Sequence, residues 1–518
     1  AGFTATQALV NYALEGLKLR GLHTNKQYTD RLRSELNTID ERGFSKYFLT
    51  MKSIADVATD MMLAGPGRGS AAGSLVAYAL GITQIDPIKY GLLFSRFLRS
   101  DATDYPDIDY DVSDSMALKE KLVGMWGEDC VAPISNWNTL QLRSLIKDIS
   151  KLYGIPFTEA NTVTSIMMRE ATPEAKIKHG IRAGVYNPTW EEVMEFSPSL
   201  QAYLKKYPAV KSHVEGLVGQ VRSCSRHAGG VVIAEGLDQS MPLINSGGVR
   251  QAPWSEGQNV RHLEPMGFIK FDLLGLSTLK MMEGCIEHIL QRHHGIENPT
   301  FQDISNYYAE NLHPDVLNFD NQEVYENIFH TGKWAGIFQF TEQGAQKFCT
   351  RVKPRNIIDL SAITSIYRPG PLAAGVHDEY LEAKDSPQYI RYLTDEARNI
   401  TQETFGFLIF QEQIALLANK LGGLTLDEGN MLRKVLTKKG TGKGGVKDQL
   451  RIKFIEGCAR NKIRTDDAVS LWNKFEYFSG YGFNKSHAVS YSVISFQCAW
   501  LWNYYPAEWM AAFLDKEP

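Results

Sequence analysis

Asp107-Ile-Asp-Tyr-Asp-Val112 places a carboxylate at every second position with apolar or aromatic residues between. Strict alternation over six residues predicts a strand. In an extended chain, residues two apart share a face about 6 to 7 Å apart, so Asp107, Asp109 and Asp111 would form a row of carboxylates. Such a row repels itself unless cations sit in it. Two neighbouring carboxylates can bridge a pair of Mg²⁺ ions roughly 3.5 to 4 Å apart, which activates a hydroxyl on one metal and shields a leaving pyrophosphate on the other. Taken alone, the pattern also suits a solvated acidic edge strand or a calcium loop.

Upstream lies Gly65-Pro-Gly-Arg-Gly69, followed by Ser70-Ala-Ala-Gly-Ser-Leu-Val-Ala-Tyr-Ala-Leu80, which reads as a buried helix starting after the glycine loop. A glycine loop feeding a helix N-terminus converges free N–H groups on an anion, and Gly67, Gly69 and Ser70 supply one. Arg68 within the loop and Arg96 beyond it could meet phosphate oxygens with forked contacts. The GK[ST] ending of a P-loop is missing, and a tight turn with close helix packing explains the same glycines. Downstream, Gly267-Phe-Ile-Lys-Phe-Asp-Leu-Leu274 predicts a second strand. It offers Asp272 as a third carboxylate and Lys270, two residues earlier on the same face, as a partner for phosphate, although a structural ion pair would account for both.

Around these motifs, 518 residues with 43% apolar composition allow two to four domains. No apolar run reaches the 18 to 20 or so residues of a membrane span, and no signal peptide is seen, so a cytoplasmic location is expected. Six widely spaced cysteines without a CxxC pair fit reduced thiols rather than a zinc site. The net charge of −4 conceals an asymmetry that matters more. Six aspartates and no cation lie between Asp101 and Asp114, whereas eleven Lys or Arg face only Asp448 and Glu456 between Arg433 and Arg464. One stretch could hold metal cations, the other a phosphate backbone. Residues 137 to 207 read as an amphipathic helical insert, with Leu142, Leu145, Ile146, Ile149 and Leu152 on one side and Arg143, Lys147 and Lys151 on another. Strand signals return at Gly229-Gly-Val-Val-Ile-Ala234, and the chain from about 286 onward is largely helical.

The order of these motifs resembles the polymerase-beta-like nucleotidyltransferase palm. Within that class, Gly65 to Ile82, Leu93-Phe-Ser-Arg-Phe-Leu98, Pro106-Asp-Ile-Asp109, Arg226-His-Ala-Gly-Gly-Val-Val-Ile-Ala234 and Lys270-Phe-Asp-Leu-Leu-Gly-Leu276 are similar to the family C catalytic (alpha) subunit of bacterial DNA polymerase III. The similarity continues through Gly336-Ile-Phe-Gln339, Tyr367-Arg-Pro-Gly-Pro-Leu372, Phe410-Gln-Glu-Gln413, Met431-Leu-Arg-Lys434, Gly480-Tyr-Gly-Phe-Asn-Lys-Ser-His487 and Tyr505-Pro-Ala-Glu508, nearly the whole chain.

The resemblance implies an α+β, mainly α fold, with palm at 1–135 and 213–285, a helical thumb at 136–212 and helical fingers at 286–518. It implies a template-directed DNA polymerase using two Mg²⁺ ions held by Asp107, Asp109 and Asp272, with Asp111 a structural neighbour. Arg68, Gly69, Ser70, Arg96, Arg433 and Lys434 fall at triphosphate positions, and Lys270 near the primer terminus. Lys434 cannot fork as a guanidinium does. Lys485 and His487 are either site or structural residues. Arg143, Lys147, Lys151, Lys438, Lys439, Lys443 and Lys447 are candidates for primer–template DNA contacts. The family's histidine-rich PHP domain and its clamp- and adaptor-binding regions have no counterpart in this sequence, which begins with alanine, so a trimmed chain or a compact phage or mobile-element enzyme is expected. A sliding clamp and a separate proofreading exonuclease are the expected protein partners, alongside DNA and dNTPs. A template-independent nucleotidyltransferase would share the palm but not the finger motifs, and an inactive DNA-binding paralogue would be expected to have lost an aspartate.

Overall fold

The computed structural model describes residues 3–181, 185–257, 260–437 and 445–516. Its strands are β1 (Asp109–Val112), β2 (Val131–Thr139), β3 (Val221–Ile233), β4 (Ile244–Ser246), β5 (Val249–Gln251) and β6 (Lys270–Gly275), and most other elements are helical. The fold is therefore α+β and mainly α. None of the described helices is long and apolar enough to cross a membrane. The chain forms two compact units, one of Ala1–Gly127 with Phe271–Pro518 and the other of Glu128–Lys270.

In the first unit, β1 and β6 pair in parallel, with Asp109 opposite Asp272 and Tyr110 opposite Leu273. Tyr110, Val112, Phe271 and Leu273 are buried and anchor the pair. The strand predicted from Asp107 begins only at Asp109, so Asp107 stands just before it, exposed. The long helix Lys485–Tyr504 starts at the Asn484 side chain, which accepts the Ser486 N–H, and it is buried on nearly every face. A helix without a polar face belongs inside a core. It packs against Ile357–Ile366 and Pro506–Leu514 in a cluster containing Phe496, Trp509 and Tyr325. Each such ring stabilises by roughly 1.5 to 3 kcal/mol relative to exposure. A second cluster, around Phe454, Trp472 and Phe475, holds together the helices between Asp395 and Phe478.

The continuous helix expected over 70–80 is not formed. Ala71–Gly73 is a single 3₁₀ turn, and a short α-helix spans Leu75–Ala79 with Ser74 as its N-cap. The glycines explain the break through close packing. A Cβ on Gly67 would come 2.8 Å from Ser490 Oγ, and one on Gly73 would come 2.6 Å from the Leu93 carbonyl oxygen. The chain must pass flush against the long helix and the 93 region, and a continuous helix cannot follow that path.

In the second unit, β2 pairs antiparallel with β3, with Val131 opposite Ile233 and Trp137 opposite Cys224. β4 and β5 form a hairpin whose two turn residues, Gly247 and Gly248, both have positive φ. The helical insert expected from Trp137 starts only at Leu142, because β2 runs on to Thr139 and the Trp137 Nε1 donates to the Pro253 carbonyl at 2.7 Å. Leu145, Ile146 and Ile149 enter the core of this insert as expected, but Leu152 is 78% exposed. The helix ends at that residue and turns it outward.

Candidate active site

The register of β1 and β6 sets Asp109 beside Asp272, one strand spacing of about 4.8 Å apart at the backbone. Asp107 precedes them, and Tyr47 lies beneath all three. The Tyr47 hydroxyl oxygen accepts the Ile108 N–H at 3.1 Å, and its ring stacks on Phe271. Burial first, and then the negative charge of Asp107, Asp109 and Asp272, push the Tyr47 phenol far up, outweighing the Ile108 N–H. One hydroxyl thus feels all three carboxylates. Among the described residues, no three His, Cys, Asp or Glu side chains converge as a ready-made metal cage. The donors nonetheless suit Mg²⁺, a hard cation that takes carboxylate oxygens, keeps several waters and is usually held by one or two carboxylates plus substrate phosphates.

Asp111 departs from the expected row. Its side chain is 1% exposed and accepts Arg68 Nη1 at 3.1 Å, while the Tyr491 hydroxyl lies 3.4 Å from its other oxygen. Burial raises its carboxyl above the usual range despite both partners. A Cβ on Gly65 would come 3.0 Å from the Asp111 Cβ, so the loop passes directly over this position. Asp111 is therefore an internal anchor for the glycine loop.

The loop is latched at a second point. Gly69, held at φ +62, donates its N–H to His487 Nδ1 at 3.0 Å, and the His487 ring lies 4.2 Å from that of Tyr491. Accepting at Nδ1 leaves the neutral imidazole with its proton on Nε2. Burial, then the nearby Arg68 charge, push the His487 pKa down to about 4. The same loop passes close to Asp109, since a Cβ on Gly69 would come 3.7 Å from Asp109 Oδ2.

The helix N-terminus expected to receive an anion is already filled from within. Glu35, on the helix Lys26–Arg42, accepts the N–H groups of Leu75 at 2.9 Å and Val76 at 3.1 Å, and the Ser74 hydroxyl at 3.0 Å. Arg31 completes the pair at 2.8 Å. These N–H groups are not available to a ligand.

The anion-binding potential lies instead in a cavity of about 340 Å³, lined by Ser70, Arg96, Arg433 and Lys434 with Asp107 on its wall. The tertiary fold brings these expected residues together and adds Arg99, Gln411 and Asn430. Arg96 donates Nε to Gln411 Oε1 at 2.8 Å, and burial pushes its guanidinium down from its usual range. Gly69, Arg68, Asp109 and Asp272 are not part of this lining; the first three are linked through the loop.

Other expected residues have different surroundings. Lys485 is turned inward, with its Nζ 2.6 Å from Glu403 and its backbone N–H on Glu412, and it does not line the cavity. Lys270 heads β6 and belongs to the other compact unit. On the helix Leu142–Leu152, Arg143 and Lys151 are exposed, and Lys147 Nζ lies 5.7 Å from the Phe157 ring centre. Lys447 pairs with Glu476 at 3.2 Å. Lys438, Lys439 and Lys443 lie outside the described residues.

Sequence reading missed Glu35, Tyr47, Tyr491 and the role of Gln411. Glu35 left a faint signal, a carboxylate on the same helix face as Leu32, Leu36 and Ile39. Gln411 stood inside Phe410-Gln-Glu-Gln413 with no chemistry attached.

Residues 7–275 match the family model of the bacterial DNA polymerase III alpha NTPase domain, and residues 280–462 match that of the bacterial DNA polymerase III alpha subunit finger domain. The chain is 31% identical to the DNA polymerase III subunit alpha of Aquifex aeolicus, covering 99% of this chain and 44% of that protein. It is 31% identical to the Campylobacter jejuni protein of the same name, over 97% of this chain and 40% of that one. Against the Thermus aquaticus protein it is 33% identical, over 93% and 38%. The chain thus spans about two fifths of the length of these relatives. By these matches, the chain belongs to the bacterial DNA polymerase III alpha family.

Proposed function

We propose that this chain carries out template-directed DNA synthesis, joining the dNMP unit of a dNTP to a primer 3′-hydroxyl. The observation that carries this reading is the cavity lined by Arg96, Arg433, Lys434 and Asp107; Asp107 stands two residues ahead of Asp109, which is in register with Asp272. The cations suit a triphosphate, and the carboxylates suit its magnesium. Asp107, Asp109 and Asp272 are the residues we assign to hold two Mg²⁺ ions. When bound, Mg²⁺ makes the 3′-hydroxyl a better nucleophile at neutral pH and neutralises charge on the departing pyrophosphate.

The chain's own contribution is mainly positional. Guanidinium forks at Arg96 and Arg433 bind phosphate oxygens with defined direction, and Lys434 adds a point charge. Ser70 offers a hydroxyl at the cavity wall. The Arg68–Asp111 pair and the Gly69–His487 hydrogen bond hold the loop that contacts Asp109. In the same reading the palm is 1–135 and 213–285, the thumb 136–212 and the fingers 286–518. The enzyme works in the cytoplasm on primer–template DNA, with a sliding clamp and a separate exonuclease as partners.

Primer extension with Mg²⁺ and four dNTPs, with and without template, tests the proposal. Extension should require template and should be abolished by Asp107→Asn or Asp109→Asn with the fold and DNA affinity retained, because these changes remove a metal ligand and leave the core intact. Template-independent addition would favour the other nucleotidyltransferase reading. Extension by either variant at more than a few per cent of the unmodified rate would overturn the metal assignment.

A further inference from the structure

Phe410-Gln-Glu-Gln413 opens the helix Gln411–Gly422 at the edge of the cavity. Gln413 acts locally, its Oε1 accepting the N–H groups of Ile409 and Phe410 and its Nε2 donating to Thr404. Glu412 is 1% exposed and accepts the Lys485 N–H. Gln411 differs, since its side chain reaches three separate elements. Its Nε2 donates to the Gly482 carbonyl at 3.0 Å, while its Oε1 accepts Arg96 Nε at 2.8 Å and Arg433 Nη1 at 3.3 Å. A carbonyl accepts only from the amide nitrogen, so the Gly482 bond fixes the oxygen end toward the two arginines. The backbone holds the same geometry, with the Gln411 N–H on the Phe483 carbonyl at 2.9 Å and the Phe483 N–H on Ile409 at 2.9 Å. A Cβ on Gly482 would come 3.2 Å from Gln411 Cγ, so the two segments touch.

Two guanidiniums converging on one cavity repel each other. After burial, the Arg433 charge is a further cause pushing the Arg96 guanidinium down, opposed by buried Glu412. A carboxylate between the arginines would neutralise them and compete with any anionic ligand. An amide oxygen offers a shared acceptor without net charge, which leaves their positive field directed at the cavity. Using Nε of Arg96 for this anchor also keeps that hydrogen bond away from the terminal nitrogens that form the fork.

We propose that Gln411 is a positioning residue that sets Arg96 and Arg433 side by side as one two-pronged grip for a triphosphate while leaving their charge intact. The inference rests on the cavity being the triphosphate site.

The test measures binding of inorganic tripolyphosphate by calorimetry, with the dNTP KM and kcat in primer extension and the melting temperature, for the unmodified chain, Arg96→Ala, Gln411→Ala and Gln411→Glu. Arg96→Ala should weaken tripolyphosphate binding by about tenfold or more, as expected when a charged phosphate partner is removed. Gln411→Ala should raise the dNTP KM by a factor of roughly two to twelve, the range for removing one ordinary intramolecular hydrogen bond, with kcat changed less. Gln411→Glu should weaken binding further than Gln411→Ala and yet melt no lower than Gln411→Ala, because its carboxylate loses the donation to Gly482, as Ala does, but pairs with both guanidiniums. That opposition of stability and affinity is not produced by a structural defect. If Arg96→Ala fails to bind tripolyphosphate while both Gln411 variants bind it normally, the Gln411 inference fails and the cavity assignment stands. A Gln411→Glu chain in which stability and affinity both fall below those of Gln411→Ala would also overturn the inference. If the unmodified chain does not bind tripolyphosphate, or Arg96→Ala binds as the unmodified chain does, the cavity assignment itself fails.

Discussion

Glu35→Ala is expected to be among the most damaging single changes to the glycine loop, although Glu35 lies far from it in sequence and outside the cavity. The carboxylate is 2% exposed and accepts from Arg31, the Ser74 hydroxyl and the N–H groups of Leu75 and Val76. Ser74, Leu75 and Val76 are each 0% exposed, so water cannot replace the missing acceptor. A buried donor left unsatisfied costs about 1 to 3 kcal/mol, and removing one partner of a buried ion pair costs about 3 to 5 kcal/mol. The donors share one carboxylate and the Ser74 hydroxyl can rotate, so these costs are not additive. A total of ~3 to 5 kcal/mol is expected. Ser74→Ala, which removes the cap on the Ala77 N–H and the hydroxyl's bond to Glu35 but leaves the carboxylate in place, should cost less, about 1 to 2 kcal/mol. The perturbation is local to one loop, so the assay is native-state hydrogen exchange at Leu75 and Val76. Their protection should fall by roughly two to three and a half orders of magnitude in Glu35→Ala, at 1.4 kcal/mol per tenfold. Glu35→Gln, which keeps an acceptor oxygen, should be milder. A change of under about 1 kcal/mol in Glu35→Ala would show that these N–H groups have another acceptor and would refute the reasoning.

The same loop has a pH signature. His487 titrates at about 4 in the folded chain, below its unfolded value of about 6.5, so the unfolded state binds the extra proton between those values. Its stabilisation is complete above pH 6.5 and is lost as pH falls toward 4, by ~2 to 3 kcal/mol after allowing for partial exposure. His487→Gln should flatten the stability–pH curve in that window, and an unchanged curve would show that the Gly69 bond does not depend on a neutral ring. Arg68→Ala should impair dNTP use and, by stranding buried Asp111, also stability; adding Asp111→Asn should recover stability but not dNTP use, and a double-mutant cycle with no coupling would dissolve the pair. For DNA, joint charge-neutral substitution of Lys438, Lys439, Lys443 and Lys447 should flatten the salt dependence of primer–template binding by about 0.9 log unit for each phosphate no longer neutralised. Lys447 should contribute least, since Glu476 already pairs with it, and an unchanged slope would leave Arg143, Lys147 and Lys151 as the remaining candidates.

Sequence alone determined the features that depend on local geometry and side-chain chemistry. Alternation marked β1, the run from Gly267 to Leu274 marked β6, helical periodicity marked the element around Leu145, and motif order pointed to the family. Composition also located the acidic and basic stretches. Tertiary structure decided which of these residues face one another. Asp107, Asp109 and Asp111 are equivalent by spacing, yet Asp109 stands beside Asp272 while Asp111 is sealed under Gly65 against Arg68. The glycine loop was legible as a loop but not as a packing surface, because its neighbours, Ser490 and His487, lie more than 400 residues away. Glu35 and Gln411 carry no local signature, since a carboxylate on a helix and an amide at a helix start are ordinary in isolation. Their roles arise only when the helix Leu75–Ala79 is brought against Glu35, and when Arg96 and Arg433 are drawn from 315 and 22 residues away onto one amide oxygen. Backbone periodicity fixes the face on which a side chain lies, whereas its partner is fixed by the burial of surfaces contributed by distant parts of the chain.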